Sequence, residues 1–266
     1  MQLRGPLTRV TPEQLLTEFD VQIRRNPRAD EPGSRVEVED RVVRTVATAD
    51  GWNGVAWSDL DPANVDAVIA AQINRFREVG RSWEWKHYSH DQPADLPARL
   101  TAAGLVAEAP ETLLVADISH LDLTTGVPAG VELVQVTDAA GAAAMVQVHD
   151  QVFGGDHARI GRAVLAGLAQ NPPTVAAVVA MADGVPVSSG RLEFARGTDF
   201  ASIWGGGTLA AWRRRGIFGA LVAARARLAA EAGFRYLQVD ATPDSRPILR
   251  RLGFVELATT TPFTHQ

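Results

Sequence analysis

Apolar positions along this chain follow two rhythms, one of period two and one of period 3.6, and their alternation predicts short strands interleaved with amphipathic helices. A helix is predicted over 12–24, strands over 42–46 and 54–57, and a helix over 62–79 that opens with Asp61 as N-cap and Pro62 at its first position. A strand over 82–89 follows, in which Trp83, Trp85 and His87 alternate with Glu84, Lys86 and Tyr88, so that both tryptophans share one face. Core packing of those tryptophans between two halves is expected, ahead of ligand stacking. A helix over 93–103 and a strand over 113–118 close this region. Beyond the turn-rich segment 124–130 come a strand over 131–136, helices over 138–152 and 158–169, and strands over 175–181 and 185–192 joined by the hairpin signal Asp183-Gly184.

The next junction carries the chemistry. A strand over 200–204 runs into Gly205-Gly206-Gly207-Thr208, and Ile217, Ala220, Leu221, Ala224 and Leu228 then mark one face of a helix stopped at Gly233. Between them lies Trp212-Arg213-Arg214-Arg215-Gly216. The first turn of a helix has N–H groups without intrahelical partners and the positive end of the macrodipole, and Gly216 lets the backbone come close, so a diphosphate fits here. The plain alternative is that the three arginines form a solvated face. A strand over 236–240 follows.

This junction resembles motif A of the GNAT N-acetyltransferase superfamily, written Gln/Arg-x-x-Gly-x-Gly/Ala. Arg213, Arg214, Arg215, Gly216 and Ile217 fit its first five places, Phe218 stands where glycine or alanine is usual, and Gly219 follows one residue late. Residues 245–254, ending Leu252-Gly253-Phe254, resemble the closing helix of the same family. The resemblance implies an α/β fold with a mixed, mostly antiparallel sheet flanked by helices. It also implies acetyl-coenzyme A as acyl donor and a small-molecule or peptide amine as acceptor, with direct attack and no covalent enzyme intermediate. The diphosphate is expected on the amides from Arg214 through Gly219, and the pantetheine arm and thioester carbonyl on Gly206, Gly207 and Thr208.

Proton transfer is where the sequence departs from the family. Ser202 stands where some members carry a glutamate base, and Leu249 where a tyrosine acid is usual. Candidate replacements are Glu193, Asp240 and His157. Each has an ordinary reading too: a solvated strand-end charge, a turn or helix cap, and a surface loop histidine. A metal on His149 and His157 lacks a third ligand at sensible spacing, so none is expected.

The element order of the first half repeats the later part of the second, and a displacement of 149 positions pairs Asp91 with Asp240, Asp95 with Asp244, Leu100 with Leu249, Gly104 with Gly253 and Val106 with Val255. Two similar halves are therefore expected: 1–125 as a degenerate GNAT-like copy, and 126–266 as the acetyltransferase. In the first copy the loop Ser58-Asp59-Leu60-Asp61-Pro62 has no glycine, and its acidic residues repel a diphosphate, so no coenzyme is expected there.

Composition narrows the choice. With 266 residues and 46% hydrophobic content the chain can build a sizeable core, and a net charge of −5 argues against a nucleic-acid surface. It contains no cysteine, hence no thiolate nucleophile or disulfide. Residues 1–7 lack an apolar run of signal length and no later run suits a membrane span, so a cytoplasmic location is expected. Two other function classes remain: a coenzyme A-binding scaffold without turnover, favoured by Ser202 and Leu249, and an NAD(P)-binding oxidoreductase, suggested by Gly205-x-Gly207-x-x-Ala210 followed by Asp240. The latter is weaker, because the acid lies about 30 residues on where about 20 is expected.

Overall fold

A computed structural model describes residues 10–29, 33–39, 41–47 and 51–265; the opening residues 1–7 lie outside the described residues. The first half comprises α1 (Pro12–Phe19), β1 (Arg35–Glu39), β2 (Val42–Val46), β3 (Gly54–Ser58), α2 (Val65–Val79), β4 (Trp83–Tyr88), α3 (Leu96–Ala102), β5 (Val106–Ala107) and β6 (Glu111–Asp117). The second comprises β7 (Val131–Gln135), α4 (Ala139–Phe153), α5 (Ala158–Leu168), β8 (Val175–Ala182), β9 (Val185–Phe194), β10 (Phe200–Thr208), α6 (Ile217–Glu231), β11 (Tyr236–Ala241), α7 (Arg246–Leu252) and β12 (Val255–His265).

All the strands join one sheet in the order β1-β2-β3-β4-β12-β6-β11-β10-β9-β8-β7, with β5 alongside β12. Among the described residues only β3 with β4 and β10 with β11 run parallel. The last strand of each half is thus exchanged: β12 lies against β4 of the first half, and β6 against β11 of the second. The exchange has a twofold signature. Val106 pairs with Thr264 and Val115 with Val255, and a shift of 149 carries 106 to 255 and 115 to 264, so the two pairs exchange; Glu111 faces Thr260, its own position shifted by 149. Gly104 and Gly253 both take positive φ, 95° and 109°, and Leu100 and Leu249 are both fully buried. The displacement fails upstream, because Asp91 sits in the turn after β4, whereas Asp240 lies within β11.

Differences from the sequence pattern have local causes. The helix expected over 62–79 starts at Val65, because the Asp61 carboxylate accepts the Ala63 and Asn64 amides at 2.9 and 3.1 Å and folds 61–64 into a separate turn. The helix over 12–24 remains α-helical to Phe19 and then makes a π turn to Arg24, which brings the Arg24 guanidinium inward onto Asp91 at 2.7 Å. Strand β1 has too few apolar positions to show in the pattern; it is an edge strand held to β2 by its ladder. Trp83 and Trp85 pack with Val55, Ile69, Phe76 and Leu100 of the first half and with Phe263 of the exchanged strand β12; Trp83 stacks on Phe76 at 4.5 Å and on His265 at 6.1 Å. Two clusters join the halves: one beneath α1, where Phe19, Tyr88, Leu113, Val115, Phe200 and Tyr236 meet, and one under α6, where Leu114 and Ala116 pack with Leu192, Ile203 and Val222. Helix α6 buries more than its expected stripe, Val222, Ala226 and Ala229 included, because it packs on β8, β9 and β10 and also against α7.

Candidate functional site

The site is built where two parallel strands part. β10 pairs with β11 only from Phe200–Tyr236 to Ser202–Gln238, while on its other side the register with β9 breaks between Trp204 and Gly207. The three glycines therefore lie in a bulge at the mouth of a splay, within β10. That placement removes the dinucleotide reading: a phosphate-binding turn needs these glycines at a helix start, and α6 begins only at Ile217.

Past Thr208 the chain makes one 3₁₀ turn and reaches the arginines. Arg213 Nε donates to the Thr208 carbonyl at 3.1 Å, and the Arg215 guanidinium lies over the Trp212 ring at 4.6 Å. Arg214 and Gly216 are left-handed, with φ of 62° and 85°, which turns this backbone outward ahead of α6. Gly216 is the N-cap of α6 and no side chain caps it; the first helical bond runs from the Ala220 amide to the Gly216 carbonyl. The early amides of the helix thus have no intrahelical partner. A side chain at Gly216 would meet only Pro128 Cγ, at 4.0 Å, and one at Gly219 would meet Thr125, so the segment between the halves forms one wall here. Phe218, the departure from the family pattern, turns its ring over Gly206. The matching junction of the first half is closed instead, since the Asp61 turn occupies its amides and adds a carboxylate.

On the opposite face of the sheet, polar groups converge beside the splay. Asp240 is neither a turn residue nor a cap: its side chain is 2% exposed, Oδ2 accepts from Lys86 Nζ, and Oδ1 has no partner. Burial pulls the Lys86 ammonium down, but the Asp240 charge, with Tyr88 behind it, outweighs this and holds it above the ordinary lysine value. Lys86 also lies over the Trp204 ring at 5.3 Å. The first half therefore places a cation in the cleft of the second. Alternation puts Lys86 opposite the tryptophans, but no local signal shows its partner.

His149, which sequence reasoning weighed only as a metal ligand, is the second residue whose surroundings the sequence did not show. It is 2% exposed, and its Nδ1 lies 3.2 Å from the Met145 carbonyl, which can only accept, and 3.4 Å from Ser189 Oγ; the shorter contact favours the tautomer with the proton on Nδ1. Nε2 is then a bare lone pair without a partner, and it faces Gly205, where a Cβ would be only 2.3 Å away. Burial lowers the His149 pKa, so the ring is neutral near pH 7.

The other candidates are less enclosed. Glu193 is 47% exposed and accepts from Arg191 Nε at 2.8 Å. His157 precedes α5 and is held by Asp150 through Nδ1 at 2.9 Å, its ring 5.7 Å from that of His149. Ser202 accepts from Gln238, and Leu249 is a core residue. Among the described residues no group of three potential ligands could hold a metal ion, and no helix is long and apolar enough to cross a membrane.

Solved structures with this architecture include a GCN5-related N-acetyltransferase from Kribbella flavida, with TM-score 0.70 and 22% identity over 97% of this chain and 96% of that one. A tandem GNAT protein from the clavulanic acid biosynthesis pathway gives 0.57 and 16%, over 88% and 84%. A GCN5-related N-acetyltransferase from Sphaerobacter thermophilus gives 0.60 and 12%, over 86% and 81%. No family model and no curated protein matches the sequence. The fold is that of the GCN5-related N-acetyltransferases, in a two-half arrangement.

Proposed function

We propose that the second half transfers an acetyl or short acyl group from acyl-coenzyme A to a primary amine, and that the first half, divided from it near residue 125, serves as a scaffold that binds no coenzyme. The observation that carries this reading is the contrast between the two strand-to-helix junctions: open amides, two left-handed residues and three arginines before α6, against a self-capped acidic turn before α2. The diphosphate lies on the amides from Arg214 to Gly219, each charge-assisted bond worth about 1.5–3 kcal/mol. The pantetheine arm follows Gly206, Gly207 and Thr208 into the splay.

In the reaction the amine nitrogen attacks the thioester carbon, the C–N bond forms and the C–S bond breaks. The ammonium must first lose a proton. His149 Nε2 takes it, since it is the unprotonated, unpartnered base beside the bulge. The free Oδ1 of Asp240 receives a second N–H of the acceptor, His157 passes the proton outward, and Glu193 adds negative charge at the rim. The thiolate leaves and is protonated by water, since Leu249 cannot donate.

The test is thermal unfolding with acetyl-coenzyme A and, separately, with NAD(P), followed by thiol release over a panel of amines. Acetyl-coenzyme A at 100 times its dissociation constant should stabilise the protein by about 2.7 kcal/mol. Stabilisation by the dinucleotide alone would overturn the reading, and stabilisation without thiol release on any amine would leave a coenzyme-binding scaffold.

A further inference from the structure

Helix α6 carries one buried charge that the reaction above does not use. Arg225 is 1% exposed, and among the described residues no carboxylate pairs with it. Its Nε donates to the Leu221 carbonyl at 3.1 Å and its Nη1 to the Arg191 carbonyl at 3.2 Å, while Nη2 has no partner. Two glycines make room for it. A Cβ on Gly190 would fall 2.6 Å from Nη1, and one on Gly206 would fall 3.5 Å from Nη2, so the guanidinium lies flat beneath the sheet with its free nitrogen under the bulge. Burial, reinforced by the charge of Arg191, lowers its pKa to about 9, which leaves it cationic at neutral pH. Its neighbours Leu221, Val222, Ala226 and Ala229 are apolar, its two carbonyl partners leave the charge without a counter-ion, and an apolar replacement of a buried ion is often neutral or stabilising.

We propose that Arg225 forms an acyl-recognition subsite, in which Nη2 takes the terminal carboxylate of a carboxyacyl thioester carried on coenzyme A. The inference rests on the reading that the second half accepts acyl-coenzyme A. An acyl chain at the splay begins beside Gly206, the glycine nearest the free nitrogen, and the Phe218 ring over Gly206 supplies an apolar wall that keeps water from the pair. A carboxylate there supplies the missing partner to a charge already desolvated, so the cost of burying the cation is met before the ligand arrives.

The test uses the full chain and two donors of equal carbon count, succinyl- and butyryl-coenzyme A, with acetyl-coenzyme A as reference, titrated calorimetrically into wild type, Arg225→Met and Arg225→Lys. Wild type should bind the succinyl thioester at least about tenfold more tightly than the butyryl one, the worth of one charge-assisted bond. Arg225→Met should abolish or reverse that preference with acetyl-coenzyme A affinity held within about twofold, and Arg225→Lys should retain part of it. A wild-type preference for butyryl, or a succinyl preference that survives in Arg225→Met, overturns the subsite. Binding of coenzyme A thioesters without regard to the acyl carboxylate would sink this inference alone, whereas binding of none of them would also sink the function proposed above.

Discussion

Replacing Gly216 with valine separates backbone strain from loss of the diphosphate cradle. Gly216 has φ of 85°, and a Cβ there points into open space, with Pro128 Cγ at 4.0 Å as its nearest neighbour. The folded protein can accommodate the side chain, and the left-handed backbone should cost about 1–2 kcal/mol. The ligand cannot be accommodated so readily, because the valine stands over the amides that a phosphate oxygen must reach. Losing two such bonds at about 1.5–3 kcal/mol each weakens coenzyme A by at least about a hundredfold. Calorimetric titration of coenzyme A measures the affinity, and thermal unfolding without ligand measures the strain. Gly184→Val provides the matched control, since Gly184 has φ of 77°, nothing within 4 Å of its Cβ, and a place in the β8–β9 hairpin away from the splay. The expected result is a similar loss of Tm in both variants and a loss of affinity in Gly216→Val alone. Unchanged affinity in Gly216→Val, with Tm lowered as in the control, would refute the cradle.

Four further outcomes are expected. If His149 is the base, kcat/KM should fall on the acid side with a midpoint below the ordinary histidine value of 6.5, because burial lowers its pKa; His149→Gln should lower kcat and flatten that limb. The same shift means that the stability His149 gains as a neutral ring is fully present above 6.5 and is lost as pH falls through its depressed value, which acid titration of Tm in wild type and His149→Gln will show. Lys86→Met leaves Asp240 buried without its partner and should cost about 3–5 kcal/mol in urea unfolding, largely recovered by adding Asp240→Asn; an additive double variant would show that the pair is not coupled. Asp61→Ala removes the turn's cap and should cost about 1 kcal/mol without changing coenzyme A affinity.

The sequence by itself determined the elements and one half of the site. Period-two and period-3.6 spacing is a property of neighbours along the chain, so β2, β4, α4, α5 and α6 fall at or within a few residues of where the pattern puts them. The loop before α6 was legible for the same reason, since a glycine, three arginines and a helix start are all local. The limit shows at Asp61, where a side chain competing for backbone amides moved a helix start by three residues.

Tertiary structure decided what faces what. Lys86 and Asp240 are 154 residues apart, and they meet because the closing strands β6 and β12 are exchanged and bring β4 and β11 to one side of the cleft. His149 was one of several helical histidine and aromatic positions until packing set its Nδ1 on the Met145 carbonyl and turned Nε2 toward Gly205. Arg225 lies between apolar helical residues in the sequence, and only the sheet shows that Gly190 and Gly206 leave it room and leave one nitrogen unpaired. Spacing along a chain encodes which face a side chain takes. Which distant group lies opposite, and whether water is excluded between them, depends on strand order and register, and these are settled only when the whole sheet closes.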